Sequence, residues 1–169
     1  KFCFLGKKSI KINSAENNMK LLESQEVIFI IPSWHYYSDP LKHQPYWEVY
    51  YATHLKKSGY NVSLYDMRGT SFKTLTDVID DIPKKDFYFY WIFKTGDASE
   101  IYSIADLLKK KYPDSIHAAG GTHVDMCSDE CTSFFDSIIV GPGEYAFQQI
   151  IEDKKKCELK VRYSADYKN

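Results

Sequence analysis

Runs rich in apolar residues alternate along the chain with longer segments of mixed character. Val27–Ile31 and Phe87–Phe93 are apolar or aromatic at every position, a pattern typical of strands buried on both faces. Further strands are predicted over Asn61–Asp66, Ser115–Ala119 and Ser137–Val140. The intervening and following segments predict helices over Pro45–Lys57, Phe72–Asp81, Ala98–Lys111, Val124–Thr132 and Glu144–Glu152. Pro45 suits the first position of a helix, and Asp97 suits a helix cap.

This alternation of strand and helix predicts an α/β fold with a doubly wound, five-stranded parallel sheet. For five such units we expect the flavodoxin-like, Rossmann-type strand order 2-1-3-4-5. Ligands of these folds bind outside the carboxyl ends of the strands. The loops of interest are therefore 32–44, 67–71, 94–97, 120–123 and 141–143.

The two ends of the chain depart from this pattern. Residues 1–25 are polar and aperiodic and are expected to form a leader or an arm, with a helical turn near Asn18–Leu22. Residues 26–153 are expected to form one domain, a usual size for a single core. Residues 154–169 are charged and are expected to be a tail or a linker to a further domain, with one candidate strand at Leu159–Val161.

Composition narrows the classes of function. The chain is 44% hydrophobic and 27% charged, as expected of a globular protein. Its 22 basic and 23 acidic residues provide no strong field for a polyanion, so nucleic acid is not an expected partner. No apolar run is long enough to span a membrane. Four cysteines in 169 residues favour reduced thiols in a cytoplasmic protein over a disulfide scaffold.

The first strand, its loop and its helix lack the glycines that a phosphate-binding turn requires. No glycine occurs between Val27 and Ser58, which excludes a dinucleotide fingerprint or P-loop at this position. A phospho-acceptor receiver domain is disfavoured as well, because the third strand ends in Phe93-Lys94-Thr95 and carries no aspartate there.

Glycines follow the fourth and fifth strands instead, as Gly120-Gly121 and Gly141-Pro142-Gly143. They suit either tight turns into helices or a groove where a ligand approaches bare backbone. Both turns would lie on the same rim of the sheet.

Four segments carry a family resemblance: Tyr50–Asp66, Lys111–Pro113, Gly120–His123 and Asp136–Phe147. In this order and spacing they resemble the cobalamin-binding domain on the N-terminal side of cobalamin-dependent radical S-adenosylmethionine enzymes, over about residues 27–152. That family usually has Gly-Gly-x-His after the fourth strand, which Gly120–His123 matches. It usually has Gly-Glu-Gly-Glu after the fifth, from which Gly141–Glu144 departs at Pro142.

The resemblance implies that the two glycine turns line a slot for the nucleotide tail of cobalamin and that the corrin ring lies flat over the strand ends. The loops around residues 34–44 and 94–97 would flank the ring. The implied cofactor-binding residues are Trp34, His35, Tyr36, Lys94, Thr95, Gly120, Gly121, Thr122, His123, Gly141, Gly143 and Glu144. Gly121→Trp is then expected to fill the slot and abolish corrin retention while leaving the fold intact.

The cobalt ligand is left open. Cobalamin domains of several other enzymes carry Asp-x-His-x-x-Gly in the first loop, but Asp39-Pro40-Leu41 places leucine at the histidine position. Either the lower face of the cobalt is capped without a protein ligand, or His35 or His43 of the same loop ligates it.

Cysteine and histidine spacing gives a second open question. Cys127 and Cys131 begin a Cys-x-x-x-Cys-x-x-Cys cluster motif, but Phe134 stands at its third position. The iron–sulfur cluster and S-adenosylmethionine are therefore expected only in a domain outside this chain. His123, Cys127 and Cys131 are each four residues apart, which would place them on one face of a helix. They could form a three-ligand metal site, but we expect them to be a partly buried helix face.

Aromatic residues are numerous, with 14 Tyr, 10 Phe and 3 Trp. Those of Phe87–Phe93 are expected in the core. Those of Trp34–Tyr51 are expected on the rim, where they could stack on a corrin or on a partner domain.

These observations predict a cobalamin-binding module of a radical S-adenosylmethionine enzyme, a methyltransferase or related, whose catalytic domain is the partner. We assign no catalytic residue to this chain and expect it to be inactive alone. The alternative is a degenerate, cofactor-free flavodoxin-like interaction domain, which Pro142 and Lys94 favour. A third option is a small enzyme that uses Glu144 or His123 on a metabolite.

Overall fold

The computed structural model of the chain describes residues 25–69 and 74–164. Its strands are β1 (Glu26–Ile31), β2 (Asn61–Asp66), β3 (Phe87–Trp91), β4 (Ile116–Gly120), β5 (Ser137–Val140) and β6 (Arg162–Ser164). Its helices are α1 (Tyr46–Lys57), α2 (Leu75–Asp81), α3 (Thr95–Lys111), α4 (Thr122–Met126), α5 (Ser128–Cys131) and α6 (Ala146–Lys156). A single 3-10 turn, Pro40–Lys42, lies in the loop after β1.

The strands form one parallel sheet in the order β2-β1-β3-β4-β5-β6. The predicted α/β class, the parallel pairing and the order of the first five strands are confirmed. The predicted count of five is wrong, because Arg162–Ser164 pairs with β5 inside the segment that we expected to be a charged tail. Only Tyr163 of this strand is buried, so the sequence contains no apolar run that would indicate the strand. The candidate strand predicted at Leu159–Val161 lies just before the observed one.

Several helix limits also differ from the prediction. The helix expected over Val124–Thr132 is two short helices, because the backbone leaves helical geometry at Cys127. Helix α3 begins at Thr95, so Asp97 lies in its first turn and does not cap it. Pro45 is the N-cap residue of α1, and the first helical residue is Tyr46.

Other expectations fall on residues outside the description. The start of the helix predicted from Phe72 and the turn near Asn18–Leu22 belong to them.

The last predicted helix is present but displaced, as it runs from Ala146 to Lys156.

The central strands β1 and β3 are buried on both faces of the sheet, which explains their continuous apolar sequences. Val27, Phe29 and the odd-numbered residues of β3 pack against α1 and α6. Ile28, Ile30 and the even-numbered residues of β3 pack against α2 and α3. Because side chains alternate along a strand, β3 supplies aromatic rings to both cores. None of the helices in the described part of the chain is long and apolar enough to cross a bilayer.

Candidate functional site

The loop after β1 forms the outer wall of the carboxyl edge of the sheet. Trp34 has a positive φ of 51°, which is uncommon for a bulky residue. The turn is closed by a 2.9 Å hydrogen bond from Tyr37 N to Trp34 O. The Arg68 guanidinium lies 5.0 Å from the Trp34 ring, and it also donates to Asp66 Oδ1 and to His43 O. The end of β2 therefore holds this loop in place.

A second set of contacts ties the same loop to the start of α3. Tyr36 Oη donates to Asp97 Oδ1 over 2.8 Å, and Asp97 is buried. Burial raises the pKa of Asp97, although the hydrogen bond from Tyr36 opposes the shift. Lys94 Nζ lies 4.4 Å from the centre of the Tyr37 ring. Ser33 Oγ donates to Glu100 Oε2 over 3.0 Å.

These contacts border a cleft of about 230 Å³, here called the loop cleft. Its aromatic walls are Trp34, Tyr36, Tyr37, Tyr46, Trp47, Trp91 and Phe93. Its polar walls include Lys94, Asp97 and the buried carboxyl of Glu48. Burial raises the pKa of Glu48 to about 7. The loop cleft thus offers flat apolar surfaces beside a carboxyl that exchanges its proton near neutral pH.

A second cleft, of about 300 Å³ and open to solvent, lies between the two glycine turns and is here called the glycine cleft. Asp125 joins the turns, because its Oδ1 accepts a 2.7 Å hydrogen bond from Gly141 N. Thr122 and Glu144 line its sides. Trp47, Trp91 and Phe93 form the wall that the two clefts share.

The glycines of the two turns have different surroundings. Gly121 has φ +110°, and a Cβ there would lie 2.6 Å from Ile92 O. Any side chain would collide with that backbone, so the expectation that Gly121→Trp leaves the fold intact is wrong. Gly141 has φ +92°, and no atom lies within 4 Å of where its Cβ would be. The space beside Gly141 is therefore part of the open glycine cleft.

His123 faces the protein interior and not a groove. Its Nε2 is 2.8 Å from Tyr102 Oη, and its Nδ1 is 3.2 Å from Thr95 Oγ1. Tyr102 Oη is also 3.3 Å from Cys131 Sγ. Among residues 25–69 and 74–164, no three His, Cys, Asp or Glu side chains are placed to hold a metal ion. His123 and Cys131 therefore join α3 to the α4–α5 segment.

The two histidines considered for cobalt lie in the outer loop. His35 is exposed, and its Nδ1 is 3.4 Å from Ser33 Oγ and 3.9 Å from Glu100 Oε2. The His43 ring stacks on Tyr37 with centres 3.9 Å apart.

The structure thus brings together part of the predicted set. Trp34, Tyr36 and Lys94 line the loop cleft, and Thr122, Gly141 and Glu144 line the glycine cleft. Thr95 and His123 bond to each other, and a side chain at Gly120, Gly121 or Gly143 would crowd the chain's own atoms. Sequence reasoning named Trp47 only as one of the rim aromatics and Asp97 only as the end of the 94–97 loop. It did not single out Glu48, Trp91, Phe93 or Asp125 as site residues. Phe93 was expected in the core as part of a buried strand, but it lies two residues after β3 and is 51% exposed, so that expectation is wrong for this residue. Its position next to the 94–97 loop was a usable signal.

Comparison with known proteins gives a consistent result. The family model described as the B12 binding domain matches residues 38–151. No curated protein sequence matches the chain.

Three solved structures share the fold. The cobalamin-dependent S-adenosylmethionine radical enzyme OxsB with aqua-cobalamin bound is 20% identical, with a TM-score of 0.65 over 90% of this chain and 23% of OxsB. The same enzyme with S-adenosylmethionine also bound gives a TM-score of 0.67 over 94% of this chain, at 20% identity and 23% of its own length. The radical S-adenosylmethionine methyltransferase TsrM from Kitasatospora setae, with cobalamin and a [4Fe-4S] cluster bound, is 16% identical, with a TM-score of 0.60 over 79% of this chain and 27% of TsrM. The chain therefore spans about a quarter of the length of these structures.

Proposed function

Because this chain belongs to the B12-binding domain family, we propose that it holds cobalamin at the carboxyl edge of its sheet and presents it to a catalytic domain outside these residues. One observation carries the proposal. Phe93 lies two residues after the end of β3, is 51% exposed and forms part of the wall between two aromatic-lined clefts. An exposed ring at this edge, with further exposed tyrosines around it, forms an apolar surface of the kind that binds a ligand or a partner.

The residues at this edge fit a corrin ring. A corrin has flat apolar faces and a rim of amide side chains. Phe93, Tyr36 and Tyr46 supply exposed rings for the faces. Lys94 and Glu144 supply a donor and an acceptor for the amides.

Bound cobalamin would supply cobalt-centred chemistry, such as methyl transfer. The chain's own residues would hold the ring, shield one of its faces and leave the other face toward the partner. Glu48 would provide a buried carboxyl that takes up or releases a proton near neutral pH. We assign no catalytic residue to this chain.

The partner is proposed to be a radical S-adenosylmethionine catalytic domain of a methyltransferase or a related enzyme. The similar structures OxsB and TsrM are enzymes of this kind, and this chain corresponds to 23% and 27% of them. S-adenosylmethionine and the iron–sulfur cluster are assigned to that domain. The balanced charge and the cysteine content support a cytoplasmic location without nucleic acid.

A second candidate, an interaction domain that has lost its cofactor, is favoured by Gly120, Gly121 and Gly143, beside which protein atoms already occupy the space that a side chain or a ligand would need. The exposed aromatic edge would then be covered by protein. A cleft of about 520 Å³ along α1, lined by Tyr46, Val49 and Tyr50, would extend that surface.

Retention of a corrin distinguishes the two candidates. The purified chain is mixed with hydroxocobalamin, desalted and examined by visible spectroscopy, with circular dichroism as the check of folding. We expect retained corrin absorbance near one equivalent. A folded chain that retains none would overturn cobalamin binding and favour the interaction domain.

A matched pair of variants locates the site. Phe93→Asp places a charge where the ring would lie and is expected to abolish retention. Val161→Asp changes a residue that is 55% exposed at the opposite edge of the sheet, just before β6, and is expected to retain the corrin. Equal retention by both variants would contradict the placement of the site.

A further inference from the structure

The indole of Trp91 occupies the space that the absent side chain of Gly120 leaves. The two residues are paired in register on adjacent strands, and both face the α1–α6 side of the sheet. A Cβ on Gly120 would lie 2.6 Å from Trp91 Cζ3 and 3.2 Å from Ile139 Cβ. A contact of 2.6 Å is too short for two carbon atoms, so Gly120 is required for the indole to lie where it does.

The other glycine turn closes on the same ring. A Cβ on Gly143 would lie 3.1 Å from Trp91 Cζ3 and at the same distance from Tyr51 and Phe147. The Trp91 ring centre is 4.6 Å from that of Tyr51. The two turns that sequence analysis assigned to the nucleotide tail of cobalamin therefore meet over a side chain of the protein.

Trp91 is well fixed in this position. It is 7% exposed, and strand pairing holds its backbone against Gly120. Its Nε1 makes no hydrogen bond within the described parts of the chain, so the fit of the ring among its neighbours determines its orientation. The indole is a fused bicycle, like the benzimidazole base at the end of the cobalamin tail.

We propose that Trp91 closes the inner part of the tail slot and stands where the base of the tail would lie, so that this chain recognises the corrin ring and leaves the tail outside. The inference rests on the proposed function, cobalamin binding at this edge. The glycine cleft that remains above Trp91 is open to solvent, so a tail lying there would stay at the surface. The ligand class is then any corrin, with or without its nucleotide tail.

The wild-type chain tests this without mutation. Titrations with hydroxocobalamin and with hydroxocobinamide, which has the corrin ring but no nucleotide tail, give two dissociation constants. We expect them to agree within about fivefold, since a fully buried base would favour cobalamin by far more than tenfold. A preference for cobalamin above that limit would overturn the inference.

Trp91→Ala provides the complementary measurement. It vacates a space of the size and shape of the tail's base, so the preference for cobalamin over cobinamide is expected to rise at least tenfold. Phe29→Ala empties a fully buried site of the same core without touching the glycine turns and is expected to leave the ratio unchanged. An unchanged ratio in folded Trp91→Ala would overturn the inference. If that variant does not fold, the wild-type ratio decides.

Failure of the inference and failure of the proposed function give different results. A folded wild-type chain that binds cobalamin but not cobinamide overturns the role of Trp91 and leaves cobalamin binding in place. A folded wild-type chain that binds neither corrin overturns both.

Discussion

The hydroxyl group of Tyr36 donates a 2.8 Å hydrogen bond to the buried carboxylate of Asp97. This bond joins the loop after β1 to the first turn of α3, and it defines one side of the loop cleft. Burial and the bond to Asp97 both raise the pKa of Tyr36, so the hydroxyl remains a donor at every physiological pH. The bond helps to hold this aromatic loop, whose one regular element is the 3-10 turn Pro40–Lys42, over the strand ends.

Tyr36→Phe is expected to lower the free energy of unfolding at pH 7 by about 1–3 kcal/mol, because it removes one hydrogen-bond donor from a buried carboxylate. The pKa of Asp97 would rise further for the same reason. Urea unfolding measures the first effect. Tyr46→Phe is the control, since that side chain is 61% exposed, and it should change stability by less than about 0.5 kcal/mol. Equal effects of the two variants would contradict a structural role for the Tyr36–Asp97 bond.

The fold was predictable as far as its strands are apolar. Val27–Ile31 and Phe87–Trp91 are buried on both faces, and their continuous apolar sequences indicate this directly. Strand β6 was missed because a single buried residue, Tyr163, between two exposed ones is too short a pattern to establish the alternation of a strand. The break at Cys127 was missed because nothing in the sequence there stops a helix.

The site was predictable in place but not in its contacts. Strand order determines which loops meet, so Trp34 and Lys94 were found on the correct edge. A glycine pattern, however, does not tell whether the space beside it holds a ligand or a side chain. Trp91 and Gly120 are 29 positions apart, and only strand register brings them into contact.

Glu48 should make stability fall as the pH rises through neutrality. Burial, the largest cause, raises its pKa from the ordinary value of 4.5 to about 7, while nearby Asp97 raises it and Arg68 lowers it. The folded state therefore binds a proton between these values that the unfolded chain has released. This contribution to stability is complete below pH 4.5 and lost above pH 7.

Glu48→Gln removes that titration. At pH 8 it is expected to increase the free energy of unfolding relative to the wild type by on the order of 1–3 kcal/mol, and at pH 4.5 to change it little. Urea unfolding at the two pH values measures the difference. A wild type and a variant with parallel pH profiles would contradict the shifted carboxyl.

His117 should have the opposite effect in a lower pH range. Burial, and secondarily the charge of Lys109, lowers its pKa from 6.5 to about 3. Its Nδ1 is 3.0 Å from Tyr90 Oη. Between pH 6.5 and 3 the unfolded chain binds a proton that the folded chain does not, so stability is lost as the pH falls. Over pH 6.5 to 4.5 the loss is about 2–3 kcal/mol.

His117→Gln tests this, because it keeps a polar group beside Tyr90 without the titration. Its free energy of unfolding should fall less between pH 6.5 and 4.5 than that of the wild type. The exposed His35→Gln is the control and should follow the wild-type profile. If His117→Gln keeps the full acid sensitivity, the buried imidazole is not its source.

Gly121→Ala and Gly141→Ala separate backbone strain from collision. Both glycines have a positive φ, +110° and +92°, so alanine is strained at each, at a cost of about 1–3 kcal/mol. Only at Gly121 does the new Cβ also lie 2.6 Å from Ile92 O. That oxygen accepts the 3.0 Å hydrogen bond from His123 N, so the collision would also disturb the start of α4. Gly121→Ala should therefore lower the free energy of unfolding by at least about 2 kcal/mol more than Gly141→Ala, as measured by urea unfolding. Equal losses would show that the turn can move away from β3, and that residue 121 is open to substitution after all.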